Sequence, residues 1–379
     1  MDSVRIAARG VTAVIALALV AVLAMAACGS TSPAPVDATA QVPTPAATSD
    51  LAPQRTPGAP RVLLTGLEVP WAIAFLPDGN ALVTERESGR IVRVTPQGAA
   101  TPVGTVGGVA ARGEGGLLGI AVSPQFATDR AVYVYYTSSQ DNRVVRLQVG
   151  PDGTIDGNAQ QVIVSGIGAA SIHNGGGLTF GPDGFLYVAT GDSSRSDASQ
   201  NRDDLGGKVL RVTPGGAPAP GNPFGTAVWT YGHRNVQGLA FGPGDRLYAT
   251  EFGQNTFDEI NLITPGADYG WPTVEGIAGR EGFTDPLVTW ATSVASPSGL
   301  AYAGGSLWAG ALRGERLWRI PLTADGRTGT PEALYTGEFG RLRGVVATPD
   351  GSALWVTTSN RDGRGSPAAD DDRILIVPL

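Results

Sequence analysis

Histidine and cysteine are both scarce in this chain of 379 residues, which has two histidines and one cysteine. Histidine is the side chain best suited to proton transfer near neutral pH, so only His173 and His233 are candidates for a histidine base. A single cysteine, Cys28, excludes a disulfide within the chain. A basic excess is also missing, since the net charge is −7, and we therefore expect no nucleic-acid partner.

Glycine and proline, in contrast, are abundant, with 54 and 28 residues. This abundance suits many short strands joined by tight turns. Apolar residues make up 42% of the chain and charged residues 16%, so the chain can bury a core. Because the protein is acidic overall, a site for an anion must be built by local clustering of arginine.

The first 28 residues predict a lipoprotein signal peptide. Arg5 and Arg9 precede an apolar run over 11–27, and small residues lead up to Cys28. The four residues 25–28, Met-Ala-Ala-Cys, resemble a bacterial lipobox, in which the cysteine is acylated. We therefore expect an exported protein, lipid-anchored through Cys28 to the outer face of the cytoplasmic membrane. The alternative is an uncleaved membrane helix, since the run is only slightly short of a span.

Residues 29–60 predict an extended tether. They are rich in Ser, Thr, Pro and Ala and have few large apolar side chains, so they cannot bury enough surface to fold. The folded domain is expected to occupy 61–379.

A unit repeated six times runs through that domain. Each copy has an apolar strand, a turn often written Pro-Asp-Gly, a second apolar strand, a polar loop and a third strand. The copies lie at 71–94, 117–149, 176–212, 238–263, 299–320 and 344–379. Their starts are about 45 to 60 residues apart, within reach of the spacing expected of propeller blades.

The turn chemistry and the leftover segments complete the prediction of a fold. Pro-Asp-Gly joins strands one and two as a hairpin. β-rich segments between the copies, such as 161–167, supply a fourth strand. The last copy ends at the C-terminus with three strands, so the strand at 61–67 is expected to complete it. The sequence thus predicts a six-bladed β-propeller of four-stranded antiparallel blades, with the ring closed by the N-terminal strand. A two-domain sandwich would not explain six equivalent copies.

The direction of the chain sorts residues between the two ends of such a propeller. The loop entering strand one and the loop joining strands two and three lie at the same end, which we call the mouth. Residues entering strand one are Glu114, His173, Asn174, His233, Arg234, Asn235, Pro297, Ser298, Arg341 and Arg343. Residues between strands two and three are Glu85, Asp192, the run 253–259 and Arg313. Four arginines at one end of an acidic protein favour a ligand with several negative charges.

Several motifs at these positions resemble the soluble quinoprotein glucose and aldose sugar dehydrogenases, which are often grouped with sorbosone dehydrogenases. In chain order they are HNGG-LTFGPDG-LYVATGD (from 173), YGHRN-QGLAF (from 231), DEINLI-G-DYGWP (258–272), GALRGERL (310–317) and RLRGVV (341–346). The resemblance covers 61–379. It implies a six-bladed propeller that binds pyrroloquinoline quinone (PQQ) and Ca²⁺ and oxidises the C1 hydroxyl of an aldose to the lactone. Electrons would pass to an external acceptor, because no nucleotide-binding unit is evident.

The resemblance also implies roles for individual residues. His173 would be the base that accepts the proton of the sugar C1 hydroxyl. Arg234 and Asn235 would contact the reacting carbonyl of PQQ and stabilise negative charge on its oxygen. His233 would orient its loop.

The remaining implied roles concern binding of the cofactor. Arg313, Arg341 and Arg343 would hold the carboxylates of PQQ. The backbone carbonyls of Gly253 and Gln254 would help to hold Ca²⁺.

The chain departs from the family pattern at four positions. Glu114 lies in the cofactor-binding region where family members often have Gln, and a carboxylate there would repel PQQ unless it is paired. Ile172 precedes His173 where the best-known glucose dehydrogenases have Asp, so we expect the base to lack an orienting partner. Gly177 replaces a frequent Arg, and Gln254 a frequent Pro.

Two other functions stay open from the residues alone. One is a non-catalytic cell-surface propeller that binds a sugar or a protein. The other is a Ca²⁺-dependent lactonase-like hydrolase, which would need carboxylate and amide side chains to converge on a metal. The conceivable candidates for that metal site are Glu114, Asn174, Asp192 and Asn235.

Overall fold

The structure of the chain is a computed structural model that describes Pro45, Ala47 and residues 50–379. The predicted signal peptide, the predicted lipidation site Cys28 and most of the predicted tether lie outside the described residues. Within the described part, no helix has the length and apolar character needed to cross a bilayer.

Six four-stranded antiparallel sheets are arranged as blades, as predicted. The chain enters through β1 (Arg61–Leu64). Blade 1 contains β2 (Pro70–Phe75), β3 (Ala81–Glu85), β4 (Arg90–Val94) and β5 (Ala100–Thr105). Blade 2 contains β6 (Leu117–Val122), β7 (Ala131–Thr137), β8 (Asn142–Gln148) and β9 (Gln161–Ile167). Blade 3 contains β10 (Leu178–Phe180), β11 (Leu186–Ala189), β12 (Val209–Val212) and β13 (Val228–Thr230). Blade 4 contains β14 (Val236–Phe241), β15 (Leu247–Glu251), β16 (Phe257–Ile263) and β17 (Val288–Ala291). Blade 5 contains β18 (Pro297–Ala303), β19 (Ser306–Ala311), β20 (Arg316–Pro321) and β21 (Glu332–Leu334). Blade 6 contains β22 (Leu342–Ala347), β23 (Ala353–Thr358) and β24 (Ile374–Pro378). The helical elements of the described chain that lie within the propeller are α1 (Phe126–Asp129) and two short 3-10 helices, Ser196–Ser199 and Pro243–Asp245.

The ring closes through its two chain ends. β1 pairs antiparallel with β24, with Arg61 opposite Ile376 and Val62 opposite Leu375, and so supplies the fourth strand of blade 6. The prediction of closure by the N-terminal strand is confirmed. Because this pairing closes the ring, every blade has a neighbour on each side, and neither the first nor the last blade is left uncovered.

Strand one of every blade lies next to the central axis. Residues of β2, β6, β10, β14, β18 and β22 together line a central channel with a volume of about 350 Å³. Apolar side chains of adjacent blades fill the spaces between sheets. One such cluster contains Trp71 of blade 1, Leu118 and Tyr135 of blade 2, and Leu186 of blade 3. The loops that enter the inner strands therefore meet at the mouth of this channel.

The segment just before β1 is bound to the propeller rather than free. Leu51 forms an antiparallel bridge with Thr323, and Gln54 Oε1 accepts hydrogen bonds from Ser306 Oγ (2.5 Å) and Arg319 Nη2 (3.0 Å). Gly58 N donates to the carbonyl of Pro378 at 2.8 Å. Residues 51–58, which the sequence assigned to the tether, thus cross blades 5 and 6, and ordered chain begins before Arg61. Their contacts lie at the hairpin end, opposite the mouth.

Candidate functional site

His173 has an orienting partner within hydrogen-bond distance. Its Nδ1 atom lies 2.8 Å from Asp192 Oδ1, and the Asp192 carboxylate is almost completely buried. The expectation drawn from Ile172 was wrong, because the partner comes from the loop between strands two and three of the same blade. A carboxylate only accepts hydrogen bonds, so Nδ1 carries the proton and Nε2 of the neutral ring is left as an acceptor. The His173 side chain keeps 12% exposure.

Backbone hydrogen bonds join the loop that carries Asp192 to the two loops that enter strand one of blades 3 and 4. Asp192 N donates to the carbonyl of Arg234 at 2.8 Å, and Ser193 N donates to the carbonyl of His173 at 3.0 Å. Gly175 N donates to Asn235 Oδ1 at 3.0 Å. The fold therefore brings His173, Arg234 and Asn235 together, as the family resemblance implied.

Two donors in this group have no partner within the protein. Arg234 Nε and Asn235 Nδ2 are buried and lack a hydrogen bond among the described residues. The Arg234 guanidinium lies over the ring of Trp271, 5.4 Å from its centroid, and burial lowers the pKa of Arg234. Buried donors are usually satisfied, so two neighbouring exceptions mark a place for an acceptor supplied by a ligand.

Trp271 comes from a part of the chain that sequence reasoning did not place at the mouth. It lies in the long loop 264–287 between β16 and β17, whose ends are at the hairpin end. Its Nε1 atom nevertheless donates to Asp192 Oδ2 at 2.8 Å. The DYGWP motif that contains Trp271 was the available signal, but strand order alone puts this loop at the wrong end.

Glu114 is paired on both oxygens. Oε1 accepts from Arg364 Nη1 at 2.7 Å and Oε2 accepts from His173 N at 2.9 Å. Burial by itself would raise the pKa of Glu114, but these two donors outweigh it and the pKa lies below the usual value. The carboxylate is therefore ionised, and the two donors offset only part of the repulsion expected from this departure.

Arg341 and Arg343 share an internal carboxylate. Asp362 Oδ2 accepts from Arg341 Nη2 at 2.9 Å and lies 3.6 Å from Arg343 Nη2. Burial would raise the pKa of Asp362, but the two arginines outweigh it and lower the pKa. Arg313, the third arginine predicted to hold a ligand carboxylate, is exposed at the mouth end of blade 5 and does not join this cluster.

A further buried arginine, Arg86, lies at the mouth end of blade 1, directly after Glu85 at the end of β3. Arg86 is 4% exposed, and its Nε atom is buried without a partner. Burial, and then the positive charge of Arg86, lower the pKa of Arg343. The available sequence signal for Arg86 was its position in ERESG (85–89), the loop that follows strand two of blade 1. The mouth thus holds three buried arginines, of which Arg341 and Arg343 share Asp362 while Arg86 Nη2 donates to Glu87 Oε1 at 2.6 Å.

The loop predicted to supply calcium ligands is held by Glu275. Glu275 Oε1 accepts from the backbone N–H groups of Gln254, Asn255, Thr256 and Phe257, at 2.8 to 3.3 Å. A Cβ atom at Gly253 would lie 1.7 Å from the carbonyl oxygen of Phe257, so only glycine fits there. The Gly253 carbonyl accepts from Arg234 Nη1 at 2.6 Å. Gln254 lies on the exposed side of this loop.

His233 has no ring nitrogen facing the mouth. It is completely buried, with Nδ1 2.7 Å from Glu251 Oε2 and Nε2 2.9 Å from Thr230 Oγ1. Its ring stacks on Tyr269 at 4.4 Å. Glu251 also accepts from Arg234 N at 2.5 Å, so this network supports the main chain of Arg234 from behind.

The packing around Gly177 explains why glycine stands here in place of the arginine that is frequent in the family. It lines the central channel, and a Cβ atom there would lie 2.6 Å from the carbonyl oxygen of Gln237. An arginine at this position would require the neighbouring inner strand to move.

Comparisons with known proteins agree with this arrangement. Residues 67–370 match the Glucose / Sorbosone dehydrogenase family. The chain is 30% identical over 341 residues to the Aldose sugar dehydrogenase YliI of Escherichia coli, covering 80% of this chain and 90% of the relative. It is 33% identical over 258 residues to Quinoprotein glucose dehydrogenase B of Acinetobacter calcoaceticus, covering 59% of this chain and 54% of the relative. A solved structure of the PQQ-bound form of Aldose Sugar Dehydrogenase from Streptomyces coelicolor is 50% identical, with a TM-score of 0.83, covering 86% of this chain and 99% of that one.

The fold and the mouth therefore define a propeller enzyme that acts on sugars. The chain belongs to the Glucose / Sorbosone dehydrogenase family, and the sugar dehydrogenase class predicted from its motifs is confirmed.

Proposed function

We propose that this protein is a PQQ- and Ca²⁺-dependent dehydrogenase that oxidises the C1 hydroxyl of an aldose to the lactone and passes the electrons to an external acceptor. The observation that carries the proposal is the hydrogen-bonded His173–Asp192 pair beside the unpaired buried donors of Arg234 and Asn235. The PQQ-bound relative and the quinoprotein relative support the choice of cofactor.

The base in this proposal is Nε2 of His173. The 2.8 Å contact with Asp192 keeps the proton on Nδ1 and stabilises the imidazolium that forms when Nε2 takes the proton of the C1 hydroxyl. Asp192 in turn accepts from Trp271, so the carboxylate is itself held in one orientation. Proton removal at this atom is the step that the chain's own residues perform.

The side chains at the mouth fit PQQ. When bound, PQQ supplies a quinone that accepts two electrons. Arg234 Nε and Asn235 Nδ2 need an acceptor, and a quinone carbonyl oxygen is one. Arg341, Arg343 and Arg86 would offer positive charge to the cofactor carboxylates.

Calcium would depend on main-chain oxygens in this proposal. Among the described residues, no group of three or more His, Cys, Asp or Glu side chains could hold a metal ion. The Gly253 and Gln254 carbonyls are hard oxygen donors of the kind that suits Ca²⁺. Arg234 would have to release the Gly253 carbonyl for this role.

The lactonase alternative is not supported by the side chains that it requires. Asn174 is 1% exposed, its Oδ1 accepts from Asn142 Nδ2 and its Nδ2 donates to the carbonyl of Ala170. Asp192 is engaged by His173 and Trp271. These residues therefore do not converge on a metal position in the part of the chain that is described.

Dye reduction tests the proposed activity. Purified protein is incubated with PQQ and Ca²⁺, and aldose-dependent reduction of an artificial acceptor is followed beside the His173→Ala variant. We expect a bound-cofactor spectrum in both proteins and dye reduction only in the wild type. No cofactor spectrum and no dye reduction across several aldoses would reject the proposal and favour a binding protein, whereas hydrolysis of lactones with metal alone would favour the hydrolase.

For location, we propose export and lipid anchoring through Cys28, supported by the sequence pattern over 1–28. The test is the mass of the mature N-terminal peptide from membranes of a producing bacterium. A diacylglyceryl group on Cys28 is expected, and recovery of an unmodified Cys28 would contradict the proposal.

A further inference from the structure

Lys208 is the only lysine of the chain, among 27 lysines and arginines, and its side chain is fully buried. It lies immediately before β12, at the end of the loop 190–207 that carries Asp192. Burying an ammonium group costs several kcal/mol unless other groups replace its hydration. An isolated lysine in this place therefore needs specific partners.

Three main-chain carbonyl oxygens replace the water. Lys208 Nζ donates to Gly206 at 2.6 Å, to Ala198 at 2.7 Å and to Ser199 at 3.0 Å. These three bonds use all the donors of an ammonium group. The arrangement resembles a cation held by backbone carbonyls, with the cation attached to the protein. A planar guanidinium cannot direct three donors from one atom, which gives a reason for lysine in a chain otherwise supplied with arginine.

The same residue also joins the two ends of the loop. Lys208 N donates to Thr190 Oγ1 at 2.8 Å, and Thr190 N donates to the carbonyl of Lys208 at 2.9 Å. Thr190 Oγ1 donates to the carbonyl of Leu205 at 2.7 Å. The start, the middle and the end of the loop are thus all connected to one residue.

The loop is bonded in turn to the main chain next to the site. Ser199 Oγ donates to the carbonyl of His233 at 2.6 Å, and His233 N donates to the carbonyl of Gly207 at 3.1 Å. Asp192 N donates to the carbonyl of Arg234 at 2.8 Å, and the Asp192 side chain holds His173. A displacement of the loop would therefore move the base and Arg234 relative to each other.

We infer that Lys208 is a positioning residue of the site: its ammonium group fixes the loop 190–207, and through that loop it sets the geometry of His173 and Arg234. Its effect on sugar oxidation rests on the proposed function, whereas its effect on the loop does not. Lys208 touches neither base nor substrate, so its removal should reduce kcat more than it changes KM.

The test compares Lys208→Met, Lys208→Arg and Lys208→Ala with Arg202→Met, which removes an exposed cation from the same loop. Amide hydrogen exchange of the cofactor-free protein is measured by mass spectrometry, and kcat and KM are measured with PQQ and Ca²⁺. In Lys208→Met we expect at least about tenfold faster exchange over 190–207, unchanged exchange over β6–β8, and kcat lower by about 100-fold, the loss typical of small misplacements. Arg202→Met should behave as the wild type, and Lys208→Arg should not restore the loop.

Chemical rescue gives a second readout that general destabilisation would not produce. Lys208→Ala lacks the last three carbon atoms and the ammonium group of the lysine side chain, and propylammonium supplies three carbon atoms and an ammonium group. We expect propylammonium to restore protection over 190–207 and part of kcat, and tetramethylammonium, which has no N–H, to restore neither. If Lys208→Met does not fold, Lys208→Ala produced with propylammonium replaces it in both measurements.

Three results would overturn the inference: unchanged exchange and kcat in Lys208→Met, equally faster exchange in all six blades, or rescue by both ammonium ions alike. If the wild type oxidises no aldose, the proposed function is rejected but the inference about Lys208 is not. Amide hydrogen exchange over 190–207, and its rescue by propylammonium, then still decide whether Lys208 fixes the loop.

Discussion

The imidazole of His173 and the carboxylate of Asp192 form a 2.8 Å hydrogen bond at the mouth of the propeller. Asp192 is 1% exposed, and its second oxygen accepts from Trp271, so the carboxylate cannot rotate away without losing a buried bond. The pair gives the ring one tautomer and one orientation, which a general base requires.

Replacing Asp192 should therefore disable the base without removing it. In Asp192→Asn the amide can donate to Nδ1, which favours the tautomer with the proton on Nε2. We expect kcat for aldose oxidation to fall by about 10² to 10⁴. Asp203→Asn, an exposed substitution in the same loop, is the control. Steady-state dye reduction measures both, and a kcat near that of the wild type in Asp192→Asn would show that His173 does not need this partner.

Glu114 should weaken the binding of an anionic cofactor. Its ion pair with Arg364 is made by an arginine that is 54% exposed, so water screens it and Glu114→Gln should change the free energy of unfolding by less than about 1 kcal/mol. Removing the negative charge should tighten PQQ binding by about 1 kcal/mol, or roughly fivefold in Kd. Titration of the cofactor-free protein with PQQ, followed by its absorbance, tests this.

Asp78→Asn provides the matched control, because it removes the same charge from an exposed hairpin at the opposite end. Weaker PQQ binding in Glu114→Gln, with Asp78→Asn unchanged, would mean that the carboxylate contributes to the cofactor site.

Glu259 should make the stability of the protein depend on pH. Burial, and then the neighbouring Glu251, raise its pKa to about 8. The folded state holds a proton that the unfolded state has lost, so the stabilisation is complete below about pH 4.5 and is lost as the pH rises through 8. The free energy of unfolding should therefore fall with pH in this window, by at most about 1.4 kcal/mol per pH unit for one proton.

Glu259→Gln should flatten that slope, and the exposed Glu338→Gln should leave it unchanged. Urea unfolding at a series of pH values gives the comparison. Equal slopes in the wild type and Glu259→Gln would exclude Glu259 as the source.

The segment before the first strand should stabilise the closed ring. Gln54 satisfies Ser306 and Arg319, which are 0% and 8% exposed, and Gln54→Ala leaves these donors short of a partner. We expect a loss of about 1 to 3 kcal/mol in the free energy of unfolding. Gln125→Ala, at an exposed glutamine without a side-chain hydrogen bond at the start of α1, should cost little. Identical melting temperatures for the two variants would show that the segment adds no stability.

The fold could be predicted from the sequence because the residues that specify it are local and recur in every copy of the repeat. Each copy specifies a hairpin by its own turn residues, and the number of copies and the missing fourth strand of the last one specify the closure. Chain direction alone then placed His173, Arg234 and Arg341 at one end. The contacts of the segment before β1 could not be predicted, because single residues such as Gln54, rather than an apolar pattern, bind that segment.

The partners inside the site required three dimensions. Strand order predicted neither that loop 264–287 returns to the mouth with Trp271 nor that Arg364 reaches Glu114 across 250 residues. Arg313, placed with Arg341 and Arg343 by its motif, is exposed, while Arg86, which no motif singled out, is buried at the same end of the propeller.

By itself the sequence determined a six-bladed ring and the end of it that collects the unusual side chains, because hairpins and strand alternation depend on neighbours in the chain. Only the tertiary structure decided which carboxylate meets which base or arginine, because those contacts join separate loops, some within one blade, as for His173 and Asp192, and some between blades, as for Glu114 and Arg364. Their geometry depends on side chains such as the buried Lys208 and the half-buried Glu275, whose hydrogen bonds run to backbone atoms that carry no sequence signature.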